Sequence, residues 1–192
     1  MYGIVKSVVP SGQVLPIRHI RVILTSTRDA PLRVRSFLNE LQRVIPSSKR
    51  VNRGRQSIEE ILRKAKLFHA SYLVIVGIKK GNPSSIRVYD LGTLSLKYKF
   101  RIYGVTLLKE LPHHIKVEQI KRGCIASVNN DRIRSMLIDL GYYSLTECEA
   151  YAYGEDIILK PEAIKLYQLK FFDAQNNLIG PVIRFFYDES SN

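Results

Sequence analysis

The segment Lys49-Arg50-Val51-Asn52-Arg53-Gly54-Arg55 places four cations in seven residues, directly before a stretch with helical periodicity. That combination suits phosphate. Arginine offers a planar fork of donors that engages a phosphate bidentately, Asn52 can read or position a base edge, and Gly54 lets backbone approach a ligand closely. Backbone amides at the start of the following helix add anion affinity. A second set lies upstream, where Thr25, Ser26 and Arg28 occupy the polar turn Thr25–Asp29 and Arg33 and Arg35 follow on the first turns of a helix. Hydroxyls and amides at a helix start again favour an anion, although Ser26 and Asp29 could serve only as caps. A third pattern interleaves Tyr89, Tyr98 and Tyr103 with Arg87, Lys97, Lys99 and Arg101, as stacking rings and cations do in single-strand binders. Aromatic residues in strands more often fill a core or a cross-strand pair, so this third pattern is the weaker one.

Catalytic chemistry is hard to assemble from what remains. His19, His69, His113 and His114 lack metal-ligand spacing, and no GxSxG, HExxH or P-loop pattern is present. Glu147, Glu149, Glu155 and Asp156 alternate with Tyr151 and Tyr153 as on the exposed face of strands, which argues against a metal cluster. Cys124 and Cys148 stand 24 residues apart without CxxC spacing, so two structural thiols are expected, not a disulfide or a zinc site. The expectation is a protein that is not an enzyme and takes no cofactor, metal or small-molecule substrate.

The charge points the same way. The formal net charge is +13, and it is lopsided: residues 1–122 hold 24 Lys and Arg against 7 Asp and Glu, whereas residues 123–192 hold 6 against 10. A concentrated positive potential attracts polyanions, nucleic acid above all. At 45% hydrophobic and 24% charged residues the chain has the composition of a folded globular protein. Residues 1–15 carry one charge, Lys6, and are broken by Gly3, Pro10 and Gly12, so they fit neither a signal peptide nor a membrane span. A soluble, cytoplasmic protein with no membrane partner is expected.

The elements that must position these residues are legible in outline. The apolar run within His19–Thr25 reads as a buried strand, and Pro31 suits the first position of a helix carried by Val34, Phe37, Leu38, Leu41, Val44 and Ile45 and closed by Pro46. Ser57 and Glu60 form a capping-box pattern before Ile58, Ile61, Leu62, Ala65 and Phe68. Tyr72–Ile78 and Ile86–Leu91 flank the turn signal Gly81-Asn82-Pro83 as a hairpin. Leu94–Leu108 then alternates as a strand, with Leu94, Leu96, Tyr98, Phe100 and Ile102 on one face and Lys97, Lys99 and Arg101 on the other. Leu111-Pro112 marks a boundary, dividing a basic half, residues 1–112, from a less charged half, residues 113–192.

The second half resembles the first. Arg35-Ser36-Phe37-Leu38-Asn39-Glu40-Leu41 matches Arg134-Ser135-Met136-Leu137-Ile138-Asp139-Leu140 at an offset of 99, identical at four of seven positions. The hairpin around Gly81 has a candidate counterpart in Ile164–Phe172, the turn Asp173–Asn177 and Leu178–Tyr187. Two α/β halves related by internal duplication are expected, one binding and one supporting.

The ordered residues Ile23-Leu24-Thr25-Ser26-Thr27-Arg28, then Arg33, Arg35 and Leu41, then Arg50-Val51-Asn52-Arg53-Gly54, then Leu73-Val74-Ile75-Val76, resemble the Brix domain of ribosome-assembly factors. The resemblance covers essentially the whole chain, as a single domain over 1–192. It implies an α/β fold of two similar halves, each similar to the anticodon-binding domain of class II aminoacyl-tRNA synthetases. It also implies binding to ribosomal RNA or its precursor, a role in rRNA processing and subunit assembly, and other assembly proteins as partners. Almost nothing extends beyond the domain, as in the short archaeal forms, so nucleolar localisation is not carried over. The competing reading is a protein-interaction scaffold whose basic half meets an acidic partner.

Overall fold

A computed structural model describes residues 20–27, 30–112, 115 and 117–187; Arg28, Asp29, His19, His113 and His114 lie outside them. Among the described residues nine strands form one sheet, in the order β2-β1-β3-β4-β5-β9-β8-β7-β6. The wholly buried β1 (Val22–Ser26) runs parallel to β2 (Ser48–Arg50) on one side and to β3 (Tyr72–Lys79) on the other. The strands β4 (Asn82–Asp90) and β5 (Ser95–Thr106) then add antiparallel. In the second half β6 (Gly123–Ser127) runs parallel to β7 (Ala150–Leu159), and β8 (Ile164–Phe172) and β9 (Val182–Phe186) follow antiparallel. The two sections join where β5 meets β9, also antiparallel. The expected α/β class therefore holds. Within the sheet, β1-β3-β4-β5 and β6-β7-β8-β9 repeat one order and one set of pairing senses. By position, β7–β8 and not β8–β9 occupies the place of the β3–β4 hairpin, which corrects the correspondence read from the sequence.

Strand alternation decides which helix sits where. Val22 and Leu24 of β1 and Val74 and Val76 of β3 face one core, into which α1 (Leu32–Val44) inserts Val34, Phe37, Leu38 and Leu41. The helix α3 (Asp131–Asp139) adds Ile133, Met136 and Leu137 to that same core from the second half. Ile23, Leu73 and Ile75 point the other way and are covered by Ile61 and Ala65 of α2 (Ile58–Leu67). The capping box forms as expected: Ser57 Oγ accepts from the Glu60 amide at 3.2 Å and the Glu60 carboxylate accepts from the Ser57 amide at 2.7 Å. Pro31 stands one residue ahead of α1. The second half has no counterpart of β2 or α2 between α3 and β7, so among the described residues only the first half has helices on both sheet faces.

Two expectations fail on identifiable geometry. Leu96 is exposed because a register shift after Val88 pairs Val88 with Tyr98 but Tyr89 with Leu96, whereas Leu94 is exposed because it lies outside β5, in the preceding turn at a positive φ of 53°. One extra residue reverses the facing of the strand before it. Cys124 and Cys148 form a disulfide. The parallel register that sets Gly123 beside Ala150 and Cys124 beside Tyr151 brings the two cysteines to a Cα separation of 5.8 Å despite their distance in sequence.

Candidate nucleic-acid interface

The segment 48–55 runs along the outer edge of the sheet. Ser48 is buried, Lys49 points outward, and Arg50 follows the strand alternation to the opposite side. The Lys49 ammonium lies 4.1 Å from the centre of the Phe68 ring, on the α2 side. The Arg50 guanidinium turns to the α1 side: Asn39 Oδ1 accepts from its Nη1, and Asn52 Oδ1 accepts from Nε at 3.1 Å and from Nη2 at 2.5 Å. Gln42 Oε1 accepts from the Arg50 amide at 3.3 Å. Farther along, Arg53 Nε donates to the Gln56 carbonyl at 3.2 Å, Gly54 takes a positive φ of 53° with open space above it, and Arg55 is exposed. The left-handed turn at Gly54 lets the chain reverse between the edge strand and the capping box, a conformation that costs glycine little.

The upstream set divides. Thr25 is fully buried and its hydroxyl donates to the Val51 carbonyl at 2.9 Å, so it holds the basic segment against the sheet. Ser26 is also buried. Arg33 turns away to Glu110, accepted by both carboxylate oxygens, and donates to the Val105 carbonyl at 2.9 Å. Burial works to raise the Glu110 carboxyl, but the Leu107 amide and the Arg33 guanidinium outweigh it and hold it below the usual range. Arg35 is exposed and leans back on the Ala30 carbonyl at 2.8 Å. Arg35, Lys49, Arg50, Arg53 and Arg55 thus gather at one end of the sheet, spread over both of its faces.

Over 177 residues the chain is 49% identical to a probable Brix domain-containing ribosomal biogenesis protein of Sulfurisphaera tokodaii, a match that covers 92% of this chain and 98% of that one. The chain belongs to the Brix domain ribosomal biogenesis proteins. No protein-family model matches it. A solved structure of a probable ribosomal biogenesis protein from Aeropyrum pernix K1 superposes with a TM-score of 0.65 at 26% identity, covering 89% of this chain and 98% of that one. Human U3 small nucleolar ribonucleoprotein protein IMP4 is 26% identical over 123 residues, 64% of this chain and 42% of that one.

In this Brix protein the sequence motifs gave the cations but missed what holds them. Asn39 and Gln42 support Arg50, and the signal was their helical spacing from Arg35 on the outward face of α1. Among the described residues no His, Cys, Asp and Glu gather in a group of three or more able to hold a metal, and no helix is long and apolar enough to cross a membrane. Of the acids read as exposed strand positions, Glu147 pairs with Arg122 at 2.9 Å and Glu155 with Lys170 at 2.6 Å.

Proposed function

We propose that this ribosomal biogenesis protein binds precursor ribosomal RNA at the basic edge and assists rRNA processing and subunit assembly by binding, without catalysing a reaction. The observation that carries the reading is the arrangement of Arg35, Lys49, Arg50, Arg53 and Arg55 around β2, with Arg50 fixed in place by Asn39 and Asn52 before any ligand arrives. A guanidinium already oriented loses less freedom on meeting a phosphate. IMP4, a component by name of a small nucleolar ribonucleoprotein, supports an RNA setting for the family. The repeated strand order supports an ancestral duplication into halves 1–112 and 113–192, each related to the anticodon-binding domain of class II aminoacyl-tRNA synthetases, with charge retained in the first. Partners are ribosomal RNA and the assembly proteins around it.

The test is crosslinking to RNA in cells of the protein's own source, with a variant carrying Arg50→Ala, Arg53→Ala and Arg55→Ala alongside. Enrichment of precursor rRNA that the variant loses supports the site. Diffuse crosslinks unchanged by the substitutions favour the protein-interaction reading. In solution, neutralising about five phosphates gives log affinity against log salt a slope near about −3.5 for single strands.

A further inference from the structure

The helix α2 covers β1 and β3 and reaches Tyr89 of β4, whereas α1 and α3 lie on the opposite side of the sheet. From β4 through β5, β9, β8 and β7, no helix among the described residues therefore covers the face on the α2 side. Register fixes what stands there. Arg87 opposes Lys99, Arg101 opposes Ser85, Gly104 opposes Arg184, Arg184 opposes Gln168, Phe186 opposes Leu166, and Lys170 opposes Tyr153. The contacts agree. The Arg101 guanidinium sits 4.6 Å from the centre of the Phe186 ring, Tyr103 meets that ring edge-on at 5.4 Å, and Tyr153 meets Phe172 edge-on at 5.4 Å. Tyr103 and Tyr153 are 43% and 40% exposed.

We propose that this face, continued onto the second half of the sheet, stacks the bases of single-stranded RNA on Tyr103, Phe186, Tyr153 and Phe172 while Arg87, Lys99, Arg101 and Arg184 carry its phosphates. The inference rests on the RNA-binding reading and extends it from the basic edge to the half whose net charge is negative. Charge complementarity selects the ligand: among the described residues five cations, Arg87, Lys99, Arg101, Lys170 and Arg184, face one acid, Glu155, which is already held by Lys170 and by Gln168 at 3.0 Å. One feature leaves room for a ligand: a Cβ built at Gly104 would meet nothing within 4 Å. A glycine in a strand beside a cation and two rings lets a nucleotide lie close to the backbone. Four strands span about 14 Å, and rings on an open sheet commonly stack two or three bases over such a distance. A duplex offers no base faces to these rings, so the surface discriminates by strandedness.

The experiment is fluorescence anisotropy of a labelled 12-nucleotide oligouridine, and of an RNA duplex of equal length, against the whole chain and its Tyr103→Leu, Tyr153→Leu and Phe186→Leu variants. Each variant is checked for an unchanged thermal midpoint; Tyr103→Leu and Tyr153→Leu alter exposed positions and carry the test if Phe186→Leu unfolds. Stacking predicts an affinity loss of about fivefold or more per ring for the single strand, no loss for the duplex, and an unchanged salt slope. Ring variants that bind the single strand as tightly as the unaltered chain overturn the stacking face and leave the basic edge standing. An unaltered chain that binds neither RNA removes both readings.

Discussion

The Lys97 ammonium of β5 lies 2.7 Å from Asp139 Oδ2 at the end of α3, which ties the first half of the sheet to the helix of the second. The same oxygen accepts from the Tyr98 hydroxyl at 2.8 Å, and the Asp139 carbonyl accepts from Arg21 Nε at 3.0 Å. Burial pushes the Asp139 carboxyl up, but hydrogen bonds from Lys97, Tyr98 and Tyr72 outweigh it and leave it below its ordinary value of 3.8. A depressed carboxyl contributes stability above its unfolded value and loses it as pH falls through the folded one. Asp139→Asn should therefore cost about 0.5–1 kcal/mol at neutral pH, a modest figure because the pair is partly exposed. Denaturant midpoints at neutral pH and near pH 3 check this: the gap between the two proteins should shrink in acid, and a gap independent of pH would rule out the ion pair.

Glu40 gives the opposite sign. It is buried in α1, and both its oxygens accept from the Leu108 amide, at 3.1 and 3.0 Å, which fastens the 3-10 turn Leu108–Glu110 to the helix. Desolvation raises its carboxyl above the ordinary 4.5, against the Leu108 amide and Arg43. Stability from a raised carboxyl is complete below the unfolded value and is lost as pH rises through the folded one. Glu40→Gln keeps an acceptor and sheds the buried charge, so it should match or exceed the natural chain at neutral pH. Glu40→Ala strands the Leu108 amide and should cost about 1–3 kcal/mol. Thermal melts from pH 4 to 8 separate them; a natural chain that gains on Glu40→Gln as pH rises would contradict the assignment.

The disulfide joins the edge strand β6 to the loop before β7, across 24 residues. Closing a loop of that size restricts the unfolded chain and stabilises by about 2–4 kcal/mol. Reduction, or Cys148→Ser, should lower the thermal midpoint by several degrees without changing the fold. Intact-mass measurement with and without alkylation shows whether the bond is present, and equal midpoints for oxidised and reduced protein would mean that it contributes nothing.

How far the sequence revealed this molecule depended on whether the signal was local. Periodicity located α1 and α2, and Ser57 with Glu60 located a start, because caps and amphipathic faces are written within a few residues. The disulfide and the facing of Leu96 were invisible, since each depends on strand register set by distant segments. The cations at the basic edge were legible for the same local reason. Their roles were not: Arg33 belongs to Glu110, 77 residues away, and Thr25 to the Val51 carbonyl. Tyr98, one of three rings noted beside cations, turns into the core, whereas Phe186 and Tyr153 enter the open face from strands remote in sequence.

Asn52 tests whether the edge reads sequence or only grips phosphate. Its Oδ1 is committed to Arg50 Nε and Nη2, so only its amide donors remain for a base edge. If its main task is to orient Arg50, Asn52→Ala should weaken binding about three- to fivefold on RNAs of different sequence alike, through lost preorganisation and with the salt slope preserved. Arg50→Ala removes a phosphate contact and should flatten the slope by about 0.7. Anisotropy titrations over a range of salt, on two single-stranded RNAs of unrelated sequence, distinguish the roles. A loss confined to one RNA would instead make Asn52 a base reader, with Arg50 held in place chiefly by Asn39.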